Sequence, residues 1–167
     1  MHRPADLELR VEETGSGGTC RSVLAALPHW FGFPESVNDY VAAAEHNPTV
    51  VASVGGRGVG ILTLVIHTPY AAEVAVMGVL PEHHRHGIGA AMLEEAQSWL
   101  VRRDIEYLQV KTLSPRREDE GYARTRAFYV AQGFRPLEEF PDLWGHDQPA
   151  LQMIKTVPHL PSPHDAS

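Results

Sequence analysis

The stretch EVAVMGVLPEHHRHGIGAAMLEEAQSWLVRRDIEYLQVKTL, residues 73 to 113, constrains the fold more than any other part of the chain. An apolar run at 73–80 stops at Pro81, and a histidine-rich loop closes on Gly87-Ile88-Gly89. Ile88, Met92, Leu93, Ala96, Trp99 and Leu100 then recur at helical spacing over 87–102. A second apolar run follows at 105–113. Strand, helix and strand in succession imply a parallel pair joined by a right-handed crossover.

The flanking segments add antiparallel strands. LELRVEE (7–13) alternates apolar and charged residues, as a half-buried strand does. Thr19 is the expected cap of a helix that takes in Val23, Leu24 and Leu27 and ends at Pro28; ESVNDYVAAAEH (35–46) predicts a second helix. Asn47-Pro48 closes it, because the residue before proline is pushed out of the helical region. TVVASV (49–54) and VGILTLVIH (59–67) flank a glycine turn and predict a hairpin. YARTRAFYVAQ (122–132) predicts a helix stopped by Gly133, and strands at 134–140 and 150–157 complete the chain. The order β-α-α-β-β-β-α-β-α-β-β predicts a single-domain α/β fold, a mixed sheet with helices on both faces. The domain is expected over 1–157, with a loose, proline-rich tail at 158–167.

Composition narrows the function. A formal net charge of -7 argues against nucleic acid, which needs a basic footprint. No stretch approaches the roughly 18 apolar residues of a membrane helix, and no apolar leader opens the chain, so a cytoplasmic protein without a membrane partner is expected. Cys20 is the single cysteine, which excludes an internal disulfide.

The loop at 84–90 suits a phosphate. Amides in the first turn of a helix lack internal acceptors and carry partial positive charge. Glycines let that backbone approach an anion closely. A nucleotide P-loop would need Gly-Lys-Ser/Thr, which is absent, and a dinucleotide fingerprint would need a small residue where Met92 stands. His83, His84 and His86 lack the cysteine or carboxylate spacing of a zinc site, so no metal is expected.

VLPEHHRHGIGAAML resembles the acetyl-CoA-binding motif of the GCN5-related N-acetyltransferases, the GNAT superfamily, whose pattern is Q/R-x-x-G-x-G/A. AFYVAQGF (127–134) is similar to that superfamily's Y-x-x-x-G-F. The strand order matches from about residue 7 to 156. His84 stands where glutamine or arginine is usual, Arg85 replaces a frequent glycine, and Tyr122 sits where many members have asparagine.

The resemblance implies a mostly antiparallel central sheet with a β-α-β acetyl-CoA-binding unit. It implies an acyltransferase that moves an acetyl group from acetyl-CoA to the primary amine of a small-molecule acceptor by direct attack on the thioester. A domain that senses acyl-CoA without turnover, or a protein N-acetyltransferase, is the alternative. The pyrophosphate is expected on the backbone of Arg85, His86, Gly87, Ile88, Gly89 and Ala90, with His84 at the rim. Pantetheine is expected along the backbone of Met77, Val79 and Leu80. Gly78 is either a bulge in that strand or a point of close packing against a helix.

Tyr129 matches the tyrosine that protonates the departing thiolate. Glu73 is the leading base, directly or through water, with His67 in reserve. Trp30, Phe31, Lys111, Tyr122 and Trp144 are the expected acceptor lining, though each tryptophan could equally close an end of the core. Aromatic faces beside carboxylates suit an amine with an apolar body. Lys111 is expected to meet a carboxylate of the protein or of the substrate. Members of the superfamily often dimerise, so a second copy is the expected protein partner.

Overall fold

A computed structural model describes residues 2–158; apart from Pro158, the expected tail lies outside them. The elements are β1 (Leu7–Glu12), α1 (Gly17–Ala25), α2 (Pro34–His46), β2 (Thr49–Val54), β3 (Arg57–Thr68), β4 (Ala71–Val79), a 3-10 turn (Pro81–His83), α3 (Ile88–Val101), β5 (Tyr107–Leu113), α4 (Glu120–Ala131), β6 (Arg135–Phe140) and β7 (Ala150–Thr156). The strands form one seven-stranded sheet in the order β1-β2-β3-β4-β5-β7-β6. Only β4 and β5 run parallel, and every other pair is antiparallel. The mixed α/β fold read from the sequence is therefore the fold observed.

Successive side chains on a strand point to opposite faces, and β4 shows which layers they meet. A Cβ at Gly78 would lie 3.0 Å from Leu27 and 3.3 Å from Val23, so this face packs on α1 and the turn after it. The Met77 methyl lies 3.0 Å from the position of a Cβ at Gly89, so the opposite face packs on α3. Leu24, Leu62, Leu64, Met92, Leu93, Leu100 and Leu108 are buried between the layers. Each such side chain stabilises the fold by about 2–3 kcal/mol relative to exposure.

One expectation is corrected here and one open alternative is decided. The first helix begins at Gly17 with Ser16 at its cap position, so Thr19 lies inside the helix. The turn there is set by tertiary bonds, with the Gly15 and Ser16 amides donating to the carbonyls of Glu45 and Ala44. Gly78 is in regular register with Ile61; the bulge in β4 falls at Ala75, because Thr63 pairs with Val76 and Leu64 with Val74. Gly78 answers to close packing instead. A second irregularity leaves His67 of β3 without a partner, between Ile66–Ala72 and Thr68–Ala71.

Candidate active site

The site is a fork in the sheet. The pairing of β4 with β5 covers only Ala71–Val74 against Tyr107–Val110. Both strands run on past that point, so Val74–Val79 and Val110–Leu113 line opposite walls of a cleft of about 910 Å³. The free edge of β4 can be read from its hydrogen bonds. The Leu80 amide donates to the Val59 carbonyl at 2.8 Å, so Leu80 and, by alternation, Gly78 face β3. Met77 and Val79 then turn their backbone groups toward the cleft, and the Val79 carbonyl is taken there by His84. The Leu80 carbonyl accepts from the His83 amide at 2.9 Å, so both backbone groups of Leu80 are engaged within the protein. Leu80, named with Met77 and Val79 from the sequence, is thereby removed from the open edge.

At the mouth of the fork lies the loop 84–90. Ala91 donates the first helical bond of α3, to the Gly87 carbonyl at 3.0 Å. Among the described residues, the consecutive amides of Arg85, His86, Gly87, Ile88, Gly89 and Ala90 donate to no acceptor, backbone or side chain. Arg85 (φ 63) and Gly87 (φ 72) both occupy the left-handed region. For arginine that conformation costs about 1–2 kcal/mol, and such strain is held where a loop must shape itself around something. A Cβ at Gly89 would lie 3.0 Å from Met77 and 3.2 Å from Phe128, so only glycine fits without a shift. A row of unpaired amides beside an open strand edge suits a phosphate joined to an extended amide chain.

His84 sits on that edge. Its Nε2–H donates to the Val79 carbonyl at 2.6 Å, and because a carbonyl only accepts, the proton on Nε2 is fixed. The ring also meets the Trp30 indole edge-on, with centroids 6.3 Å apart.

Tyr129, on α4, lines the cleft and is only 6% exposed. Burial, helped by the nearby Tyr122, pushes its phenol well above the usual tyrosine range, so the hydroxyl keeps its proton. No described residue accepts or donates a hydrogen bond at that hydroxyl. Glu73 stands at the apex of the fork but not on the cleft lining. Its Oε1 accepts from His67 Nε2 at 2.6 Å and its Oε2 from Lys111 Nζ at 2.9 Å. One carboxylate on β4 thus joins β3 to β5, and the sequence reading of Lys111 as facing a carboxylate is answered by Glu73.

Trp30, Phe31, Lys111, Tyr122 and Trp144, the acceptor residues read from the sequence, all line the cleft, with Glu35 beside them. The Tyr122 hydroxyl donates to the Trp30 carbonyl at 3.2 Å and ties α4 to the loop 28–34. Phe33, Leu143 and Trp144 from two separate loops stand exposed at its mouth. Sequence reading missed Tyr40, whose phenol is raised by burial first and then by Asp39 and Glu73. It also missed Asp119, which caps α4 by accepting from the Tyr122 amide at 3.0 Å and binds His29 Nε2 at 3.1 Å. The cue was available, since an aspartate before a helical run is a cap signal. Among the described residues, buried Trp30 Nε1 and Thr112 Oγ1 have no hydrogen-bond partner.

Among the described residues, no group of three or more His, Cys, Asp or Glu converges as a metal site. None of the described helices is long and apolar enough to cross a membrane.

Residues 44–136, more than half of the chain, match the family model for the acetyltransferase (GNAT) domain. Solved structures agree in fold. A protein described as a GNAT-family acetyltransferase from Desulfovibrio desulfuricans superposes with a TM-score of 0.78 at 17% identity, covering 91% of this chain and 99% of that one. The ribosomal-protein-S18-alanine N-acetyltransferase of Escherichia coli gives 0.74 at 16% identity, over 94% and 97%. The acetyltransferase yncA of Salmonella typhimurium, solved with acetyl-CoA, gives 0.70 at 15% identity, over 98% and 100%. A search of curated proteins finds no match.

Proposed function

The chain belongs to the GNAT acetyltransferase family, and from that premise we propose that it is an N-acetyltransferase acting on the primary amine of a small molecule. The observation that carries this reading is the fork: unpaired amides from Arg85 to Ala90 lead directly onto the β4 edge at Met77 and Val79, where His84 already holds the Val79 carbonyl. The amides would hold the pyrophosphate of acetyl-CoA, and the β4 edge would hold its pantetheine arm. Acetyl-CoA brings the activated acyl group; the protein positions it and manages the protons.

In the proposed step an ammonium acceptor first gives a proton to Glu73 through water. The amine lone pair then attacks the thioester carbonyl, the C–N bond forms, the C–S bond breaks, and the electron pair leaves on sulfur. The Tyr129 hydroxyl donates to that sulfur, and the proton released from nitrogen replaces the one it gives. One amine and one thioester become one amide and one thiol. A phenol kept neutral by burial is in the required state at neutral pH.

The acceptor walls support an amine with an apolar, ring-bearing body. Trp30, Phe31, Phe33, Tyr40 and Trp144 line the cleft, whereas Glu35 is the one carboxylate on its lining among the described residues. Lys111 already spends its charge on Glu73. A polycation would find little to balance it there.

The test is free-thiol release from acetyl-CoA over a panel of arylalkylamines, amino acids, polyamines and peptides with free N-termini. Arylalkylamines should turn over fastest. Tyr129→Phe should lower kcat by about a hundredfold while acetyl-CoA still raises the melting temperature. Acetyl-CoA binding without turnover of any amine would favour a sensor, and preference for the peptides would move the acceptor class to protein.

A further inference from the structure

Resting on the acyltransferase reading, we propose that the hydroxyl of Thr112 binds the thioester end of the pantetheine arm and orients the acyl group in the fork. Thr112 lies on β5 just past Val110, the last residue paired with β4, and lines the cleft with Tyr129 and Thr125 of α4. Lys111 turns toward Glu73, so its neighbour Thr112 turns the other way, to the face it shares with Val110. The residue is only 4% exposed, and its Oγ1 has no hydrogen-bond partner among the described residues.

Trp30 Nε1 is the other such atom on this cleft, but among the buried threonines of the described residues Thr112 alone is unpaired. The other buried threonines, Thr49 and Thr63, bond each other at 2.9 Å, and buried Ser114 donates to Glu139 at 2.6 Å. An isolated buried hydroxyl is destabilising, and valine would fill the same volume without that cost. A polar group retained in an apolar wall of a binding cleft points to a partner that arrives with the ligand. The arm offers one. If pyrophosphate sits at 85–90 and the arm follows Met77 and Val79, its acyl end reaches the fork beside Thr112. The carbonyl of the thioester, or of the amide next to it, can accept the Thr112 proton. That contact would hold the acyl group at a fixed angle to Tyr129.

Thr112→Val gives a signature that a structural role cannot imitate. Without ligand the variant should melt higher than wild type, by about 2–4 °C, because an orphaned hydroxyl is gone. Its Kd for acetyl-CoA and for coenzyme A should rise about fivefold to tenfold, the worth of one hydrogen bond. Its Kd for adenosine 3′,5′-bisphosphate, which lacks the arm, should not change. Thr112→Ser, which keeps the hydroxyl, should hold acetyl-CoA within about twofold of wild type. Unchanged acetyl-CoA affinity in Thr112→Val would overturn the proposal, as would a lower melting temperature with equal losses for acetyl-CoA and the bisphosphate. A wild-type protein that binds neither ligand would overturn the acyltransferase reading itself, and this contact with it.

Discussion

Lys111→Met tests what the clamp at the fork contributes. In the native protein Lys111 Nζ and Glu73 Oε2 are 2.9 Å apart, with side-chain exposures of 26% and 14%. Exposed ion pairs contribute about 0–1 kcal/mol, whereas removing one partner of a fully buried pair costs about 3–5 kcal/mol. A pair this far withdrawn from water falls between, so each single change, Lys111→Met or Glu73→Gln, should cost about 2 kcal/mol. For a domain of this size that is a fall of about 4–8 °C in melting temperature. The double variant should lose about 2 kcal/mol as well, not 4, because the second change no longer strands a charge. Urea unfolding of all four proteins at pH 7 closes the cycle and should yield a coupling of about 2 kcal/mol. Losses that add to within about 0.5 kcal/mol would show that the pair is a surface contact and that the fork needs no staple. Turnover separates the second role. Glu73→Gln should depress kcat more than Lys111→Met does if the carboxylate also serves as the base.

Three further outcomes follow from local geometry. Gly89→Ala would place a Cβ 3.0 Å from Met77 and 3.2 Å from Phe128; the gain in helix propensity offsets the crowding, so stability should hold within about 1 kcal/mol while calorimetry shows acetyl-CoA bound about tenfold more weakly as the β4 edge shifts. Burial pushes the Cys20 thiol up to about 11 from 9.0. The folded state therefore holds this proton more tightly than the unfolded state, and its contribution to stability should be intact below about pH 9 and fall by about 1.4 kcal/mol per pH unit from there to about pH 11, so Cys20→Ala should flatten the decline between about pH 9 and 10 in urea titrations, before the raised tyrosines titrate. The Tyr122 amide, then His29, holds the Asp119 carboxyl below its usual range; Asp119→Ala should lower the melting temperature at pH 7, with a deficit that closes as pH falls below about 4 and through the native carboxyl's own value.

Order and periodicity made the element sequence legible, since the glycine and proline breaks and the change from period 2 to period 3.6 are local properties. The aromatic lining was legible too, because Trp30, Phe31, Tyr122 and Trp144 sit in segments whose place in the fold follows from strand order. What stayed hidden depends on pairings across the sheet. Nothing about Ala75 marks it as a bulge; its extra residue exists only relative to the register of β3. The engagement of Leu80 likewise requires knowing that Val59 faces it. Glu73 could be named as a candidate base, but its clamp comes from Lys111, 38 residues away, and from His67, on the neighbouring strand at an irregularity in β3. Thr112 has no sequence signature because whether a hydroxyl finds a partner is settled by tertiary neighbours alone.

The edge-on contact between His84 and Trp30 joins two loops that the proposed function assigns to different ligands. On that proposal one would form the rim of the cofactor cradle and the other a wall of the acceptor chamber, and neither could be redesigned in isolation. A wall reshaped at Trp30 would remove the ring beside the imidazole that holds Val79, and a rim changed at His84 would remove the ring beside the indole. Diversification of acceptor choice on this scaffold would have to carry residues 30 and 84 together, as one inherited unit.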